Sequence, residues 1–173
     1  RFDAINDSHY RPAFDEAMRL KRADIDASIA QRAAPDFDNT VLALEKSGAM
    51  LSRVSSVFFA MTSAHTNDDL QALDEQFSTE LAGLANDIWL NDTLFARVEA
   101  VWQDREALDA ESRRLTEEMY QHFVLAGARM NADEKAELKA LNTEAATLTS
   151  QFNQRLLAAN KAGRLGVGKR EKE

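Results

Sequence analysis

Near the end of this 173-residue chain, Gly163-Arg164-Leu165-Gly166-Val167-Gly168-Lys169-Arg170 sets a glycine, four residues and then Gly-Lys in the spacing of a Walker A loop. Such a loop cradles nucleotide phosphates with its backbone N–H groups and lays its lysine against them. The chemistry needs a buried strand before the loop, a Ser or Thr after the lysine, and a helix beyond that points its N-terminus at phosphate. Here a helical pattern precedes Gly163, and Arg170 stands where the hydroxyl belongs. The context predicts a helix C-cap at Gly163 followed by a basic tail, and no nucleotide site.

The remaining candidates for chemistry are scattered. His9, His65 and His122 lie far apart and none belongs to a His-Glu-x-x-His pair. Glu118 and His122 stand four apart, on one face of a helix, and could supply two metal ligands. No matching Glu-x-x-His occurs on another segment, so a dimetal bundle site of the ferritin kind lacks half its ligands. A surface ion pair or a histidine at a helix end is the plainer reading. Ser55, Ser56 and Ser150 have neither a base close in sequence nor a nucleophile-elbow context. Asp68-Asp69 and Glu117-Glu118 read as helix caps and solvated faces. Trp89, Trp102, Phe58 and Phe59 recur at helical spacing and are expected in the core. No catalytic, cofactor-binding or metal-ligating residue is therefore assigned in this chain.

Composition narrows the classes further. Lys and Arg number 21 against 29 Asp and Glu, a net charge of -8, which opposes a general affinity for nucleic acid or anionic membrane. With no cysteine, disulfides and thiolate zinc sites are excluded, and a cytoplasmic location is expected. No apolar run reaches membrane-spanning length and no leader pattern opens the chain. The first residue is Arg1, so residues upstream of it are expected in the gene product.

The elements that would position any site are helices. Two prolines and six glycines in 173 residues leave long uninterrupted stretches. Pro12 suits a first helical turn, with Ala13 to Ala33 following it. A turn over 34–40 leads into a second helix capped by Asn39 or Thr40, carrying Val41, Leu44, Leu51, Val54, Phe58 and Met61 on a broad stripe that marks it as the most buried element. A cap at Thr66 or Asn67 starts a third helix running to about Trp89. Asn91-Asp92-Thr93 starts a fourth through Trp102, and a fifth spans roughly Asp109 to Leu125, ending near Gly127. The last and longest runs from Ala132 to about Ala162, about 46 Å at 1.5 Å per residue. Its Leu138, Leu141, Ala145, Leu148, Phe152 and Leu156 step by three and four, a seam expected to lie against a neighbouring helix. The fold class is all-α: about six helices in an antiparallel, bundle-like array, with no period-two strand pattern.

Four blocks go beyond pattern: "HYRPAFDEAM" at 9–18, "PDFDNTVLALEKSG" at 35–48, "QHFVLAGARM" at 121–130 and "LNTEAATLTSQFNQRLLAAN" at 141–160. In this order and spacing they resemble the N-terminal region of the thimet oligopeptidase family of zinc metallopeptidases, nearest its bacterial peptidyl-dipeptidases, with the oligopeptidase A-like members next. The likeness covers residues 2–162.

That resemblance implies a large, almost wholly helical protein built as two halves around a deep channel. Its zinc site, a His-Glu-x-x-His helix with a further Glu, belongs far toward the C-terminus, where zinc activates a water and the motif Glu acts as general base. None of those positions has a counterpart here, so the implied zinc belongs to the longer protein, whose substrates are short peptides cleaved to release C-terminal dipeptides. Residues 1–162 are expected to form the N-terminal helical domain, part of the channel wall, inactive alone. Residues 163–173 depart from the family pattern as a basic tail, and the near-Walker spacing reads as a junction. The alternative is a non-catalytic helical binding or oligomerising module, with self-association through exposed apolar helix faces.

Overall fold

The computed structural model describes residues 5–64 and 66–163. Six helices of 12 residues or more carry the fold, with no strand among the described residues. They are α1 (Tyr10–Ala30), α3 (Ala49–Ala64), α4 (Asp68–Trp89), α5 (Asp92–Gln103), α6 (Ala110–Leu125) and α7 (Ala132–Ala162). A π-helical turn, Phe37–Leu42, runs into the four-residue α2 (Ala43–Lys46). The all-α expectation is borne out.

Side-chain asparagines and aspartates set most of the helix starts, each accepting from a backbone N–H that would otherwise lack a partner. Asn67 accepts from Leu70 N, Asn91 from Leu94 N, Asp109 from Glu111 N and Ser112 N, and Asn131 from Glu134 N. At α7 the Glu134 carboxylate returns to the Asn131 backbone, closing a capping box. Glycine ends α6: Gly127 has φ +102°, and Ala128 N donates back to Phe123 O at 2.9 Å. At Gly163, which follows α7, φ is -81°, so the cap falls at the expected residue without the left-handed turn.

The second helix departs from expectation in two ways. It begins at Phe37, capped by Asp36 and not by Asn39 or Thr40: the Asp36 carboxylate accepts from Asn39 N at 2.7 Å, and the Asn39 amide oxygen accepts from Asp36 N at 3.2 Å. It also breaks at Ser47-Gly48, where Gly48 takes φ +76° beneath the Lys21 side chain. A Cβ there would sit 2.5 Å from Cδ of the Lys21 side chain, which can move aside, so it is the left-handed backbone that calls for glycine. Nor is this stretch the most buried. Met50 is exposed and Val54, Val57 and Met61 are half-buried, whereas α1 and α4 bury Tyr10, Phe14, Ala17, Met18 and Ile25, and Leu70, Phe77, Leu84 and Ile88.

The core sits where α1, α3 and α4 meet. Phe14 stacks on Phe77 with ring centroids 3.8 Å apart, and Phe58 stands edge-on to Phe77 at 4.7 Å and to Tyr10 at 5.2 Å. A second aromatic group joins α4, α5 and α6 through Trp89, Phe95, Trp102, Tyr120 and Phe123. The tryptophans and phenylalanines singled out in the sequence thus serve packing.

Helix α7 lies antiparallel on α4, and its contacts are polar. Gln154 donates to Gln71 O at 2.9 Å, Ser150 Oγ to Asp74 Oδ1 at 2.9 Å, and Gln151 to Glu75 at 3.3 Å. Further along, Thr147 and Thr79 meet at 3.4 Å and Asn142 donates to Asn86 at 2.7 Å. Lys135, almost wholly buried, pairs with Asp92 at the start of α5. The descending numbers on one helix against ascending numbers on the other give the antiparallel register. Most of the apolar seam expected against a neighbouring helix points away from α4: Leu141, Leu148, Phe152 and Leu156 are 54%, 57%, 63% and 49% exposed, while Leu138 is half-buried beside Gly127 and Ala145 lines the trough between α4 and α7. Helix α4 turns carboxylates and amides toward α7, so the polar row of α7 satisfies them and the apolar row, on another face, is left in solvent.

Candidate functional site

The structure keeps the chemical candidates apart. His9 lies before α1, its Nδ1 accepting from Asn6 N at 3.3 Å. His122, near the end of α6, lies against the Trp89 ring with centroids 4.0 Å apart. The Glu118 carboxylate is held by Arg114 at 2.7 Å, one turn back on the same helix, so the Glu118/His122 pair is an ion pair plus a ring contact. Among the described residues no three His, Cys, Asp or Glu side chains come together in a way that could hold a metal ion. His65 and the Walker-like residues beyond Gly163 lie outside the described residues.

The serines fare no better as nucleophiles. Ser150 donates to Asp74, a carboxylate that accepts the hydroxyl proton in a hydrogen bond without an imidazole between them. Ser55 Oγ is buried without a partner among the described residues, on a helix face that carries no base. The cavities are open troughs between helices rather than enclosed pockets. One of them, about 200 Å³, lies among Lys21, Leu44, Ile88, Trp89 and Met119. Burial pushes the Lys21 ammonium below the ordinary lysine value, partly offset by Asp24 and Glu45. Its Nζ donates to Ser47 Oγ at 2.5 Å and Ser47 O at 3.2 Å. Lys21 therefore caps the C-terminal end of α2 where the helix is interrupted, and a cation there also complements the helix dipole.

One residue with a structural task escaped the sequence reading. Arg97 is 8% exposed and has no carboxylate partner among the described residues. Its guanidinium donates to Gln31 O and Ala33 O at 3.1 Å each, to Asn39 Oδ1 at 2.8 Å and to Thr40 Oγ1 at 3.1 Å. These bonds tie the segment after α1 to α5 and end α1 at Ala30, three residues before the expected Ala33. A signal was present: Leu94, Arg97, Val98 and Val101 share the i, i+3, i+4, i+7 positions of a buried face, and an arginine there must find acceptors.

No protein-family model matches the chain. Among curated proteins, the chain is 67% identical over 169 residues to a dipeptidyl carboxypeptidase of Salmonella typhimurium and 68% identical over 168 residues to one of Escherichia coli. The resemblance is to dipeptidyl carboxypeptidase, across nearly the whole of this chain. Each alignment covers 96% of the chain but 25% of the relative, so the chain spans about a quarter of the length of the dipeptidyl carboxypeptidases it matches. This bears out the likeness read from the blocks at 9–18, 35–48, 121–130 and 141–160. No helix among the described residues is long and apolar enough to cross a membrane.

Proposed function

We propose that this chain is the N-terminal portion of a cytoplasmic, zinc-dependent dipeptidyl carboxypeptidase, where its helices form part of the wall of a substrate channel. The longer protein would remove C-terminal dipeptides from short peptides, with zinc and the general base supplied by residues outside this segment. The observation that carries the reading is the 67–68% identity over 96% of the chain. At that level helix packing and loop lengths are shared, so the segment's role in the relatives is the best guide to its role here.

The residues at hand do not fit the zinc. The Glu118 carboxylate is engaged by Arg114 and the His122 ring lies on Trp89, so no step of cleavage is routed through this chain. What the segment can contribute is rigidity. A wall that excludes folded proteins from a channel must hold its shape, and the aromatic core of α1, α3 and α4, the Arg97 clamp and the α4–α7 hydrogen bonds supply that. The absence of cysteine accords with a reducing compartment.

The test is hydrolysis of an N-blocked tetrapeptide. A full-length protein carrying this segment should release the C-terminal dipeptide and lose that activity with a chelator, regaining it with zinc. The 173-residue chain should release none. Chelator-sensitive release by the purified 173-residue chain, above a heat-killed control, would overturn the reading.

A further inference from the structure

Helix α7 exposes its apolar row and spends its polar row on α4, the reverse of what an amphipathic helix at the edge of a finished domain does. Leu141, Leu148, Phe152 and Leu156 recur at steps of seven, four and four and form one continuous stripe, each about half or more exposed. Beside it runs a trough of about 410 Å³ between α4 and α7. Ala82 and Ala85 from α4 and Ala145 and Ala146 from α7 make a small apolar floor, with Asn142 and Asn153 along its rim. A floor of small side chains next to a ridge of large ones is the shape that seats another helix, whose own ridge fills the groove at an axial separation of about 8–10 Å.

We propose that this stripe and trough receive an amphipathic helix from the part of the longer protein that lies outside this segment. The inference rests on the dipeptidyl carboxypeptidase reading. The occupant presents Leu-, Met- or Phe-type anchors at i, i+3, i+4 and i+7, which is how helices recognise apolar grooves. On the side of the stripe away from the trough lie the exposed Glu137 and Glu144 and, further along, Arg155, so the occupant's rim carries Lys or Arg opposite the glutamates and Asp or Glu opposite Arg155.

Two observations favour this occupant over a second copy of the chain. The stripe offers four large side chains, far short of the roughly 20–30 residues a side used by a stable interface between separate proteins. Each copy also carries a net charge of -8, which opposes pairing. A helix on the same polypeptide needs no such area, because tethering raises its local concentration to the order of millimolar. With the segment spanning 25% of its relatives, three quarters of such a protein is available to supply that helix.

The chain's lack of cysteine makes a direct test possible. Phe152→Cys and, separately, Leu148→Cys are placed in the 173-residue chain and in an otherwise cysteine-free full-length dipeptidyl carboxypeptidase carrying this segment. Glu111→Cys, on the exposed start of α6, serves as the control. Maleimide should react at positions 152 and 148 at least tenfold more slowly in the full-length protein than in the short chain, and equally fast in both at position 111. Equal rates at 152 and 148 overturn the proposal. So does slow labelling in the short chain that becomes fast on dilution, which identifies a second copy as the occupant. Peptidase activity of the same full-length proteins is read in parallel. An active enzyme that labels fast at 152 overturns the docking and leaves the peptidase reading standing; an inactive enzyme that labels slowly does the reverse.

Discussion

Helix α4 meets α1 on one face and α7 on another, and the two seams are built from different chemistry. Toward α1 it presents Phe77, wholly buried, stacked on Phe14 and edge-on to Phe58. Toward α7 it presents Gln71, Asp74, Glu75, Thr79 and Asn86, each in a hydrogen bond. The first seam removes apolar surface from water and so supplies stability. The second exchanges water for protein partners at little net gain, but its bonds are directional and fix the register of a 31-residue helix. One seam holds the segment together, and the other aims α7 so that its apolar stripe faces out.

That contrast can be broken most sharply at the aromatic core. Phe77→Ala should cost about 3–5 kcal/mol in chemical denaturation, the range for emptying a buried phenylalanine site. A loss below ~1 kcal/mol would mean that the α1–α4 seam is not the main source of stability. Ser150→Ala tests the other seam. It removes the donor to Asp74 on an interface that water can reach, and the expected cost is about 1 kcal/mol in the same measurement. A cost matching that of Phe77→Ala would erase the distinction between the seams. The smallest effect belongs to the stripe itself. Phe152→Ser in the 173-residue chain should change stability by no more than about 0.5 kcal/mol, because the side chain is already 63% exposed. A large loss there would show that the stripe is covered within this chain.

The sequence reading succeeded where local chemistry decides and failed where two polar or two apolar faces compete for one neighbour. Helix existence was legible from the scarcity of glycine and proline, and the starts near Asn67 and Asn91 from the oxygen each sets before a helical run; Asp109 and Asn131 cap their helices in the same way. The start at Asp36 was missed because four cap-type residues, Asp36, Asp38, Asn39 and Thr40, stand within five positions. Asn39 and Thr40 proved to be committed to Arg97, a partner 58 and 57 positions away. The α7 stripe was recognised as apolar and expected against a neighbouring helix, but among the described residues its large side chains face solvent. Periodicity reports which residues share a face and carries no information on which way that face turns.

From the amino-acid order alone came the all-helical class, the absence of thiol chemistry, and a likeness to one peptidase family, because caps, breakers and four long matching blocks are properties of contiguous residues. The tertiary structure decided that Arg97 is buried among backbone carbonyls, that Glu118 and His122 serve separate partners, and that α7 turns its polar row inward. Each of these depends on what a residue meets from a distant part of the chain. There, an unmatched carboxylate or amide costs more to bury than a leucine costs to expose.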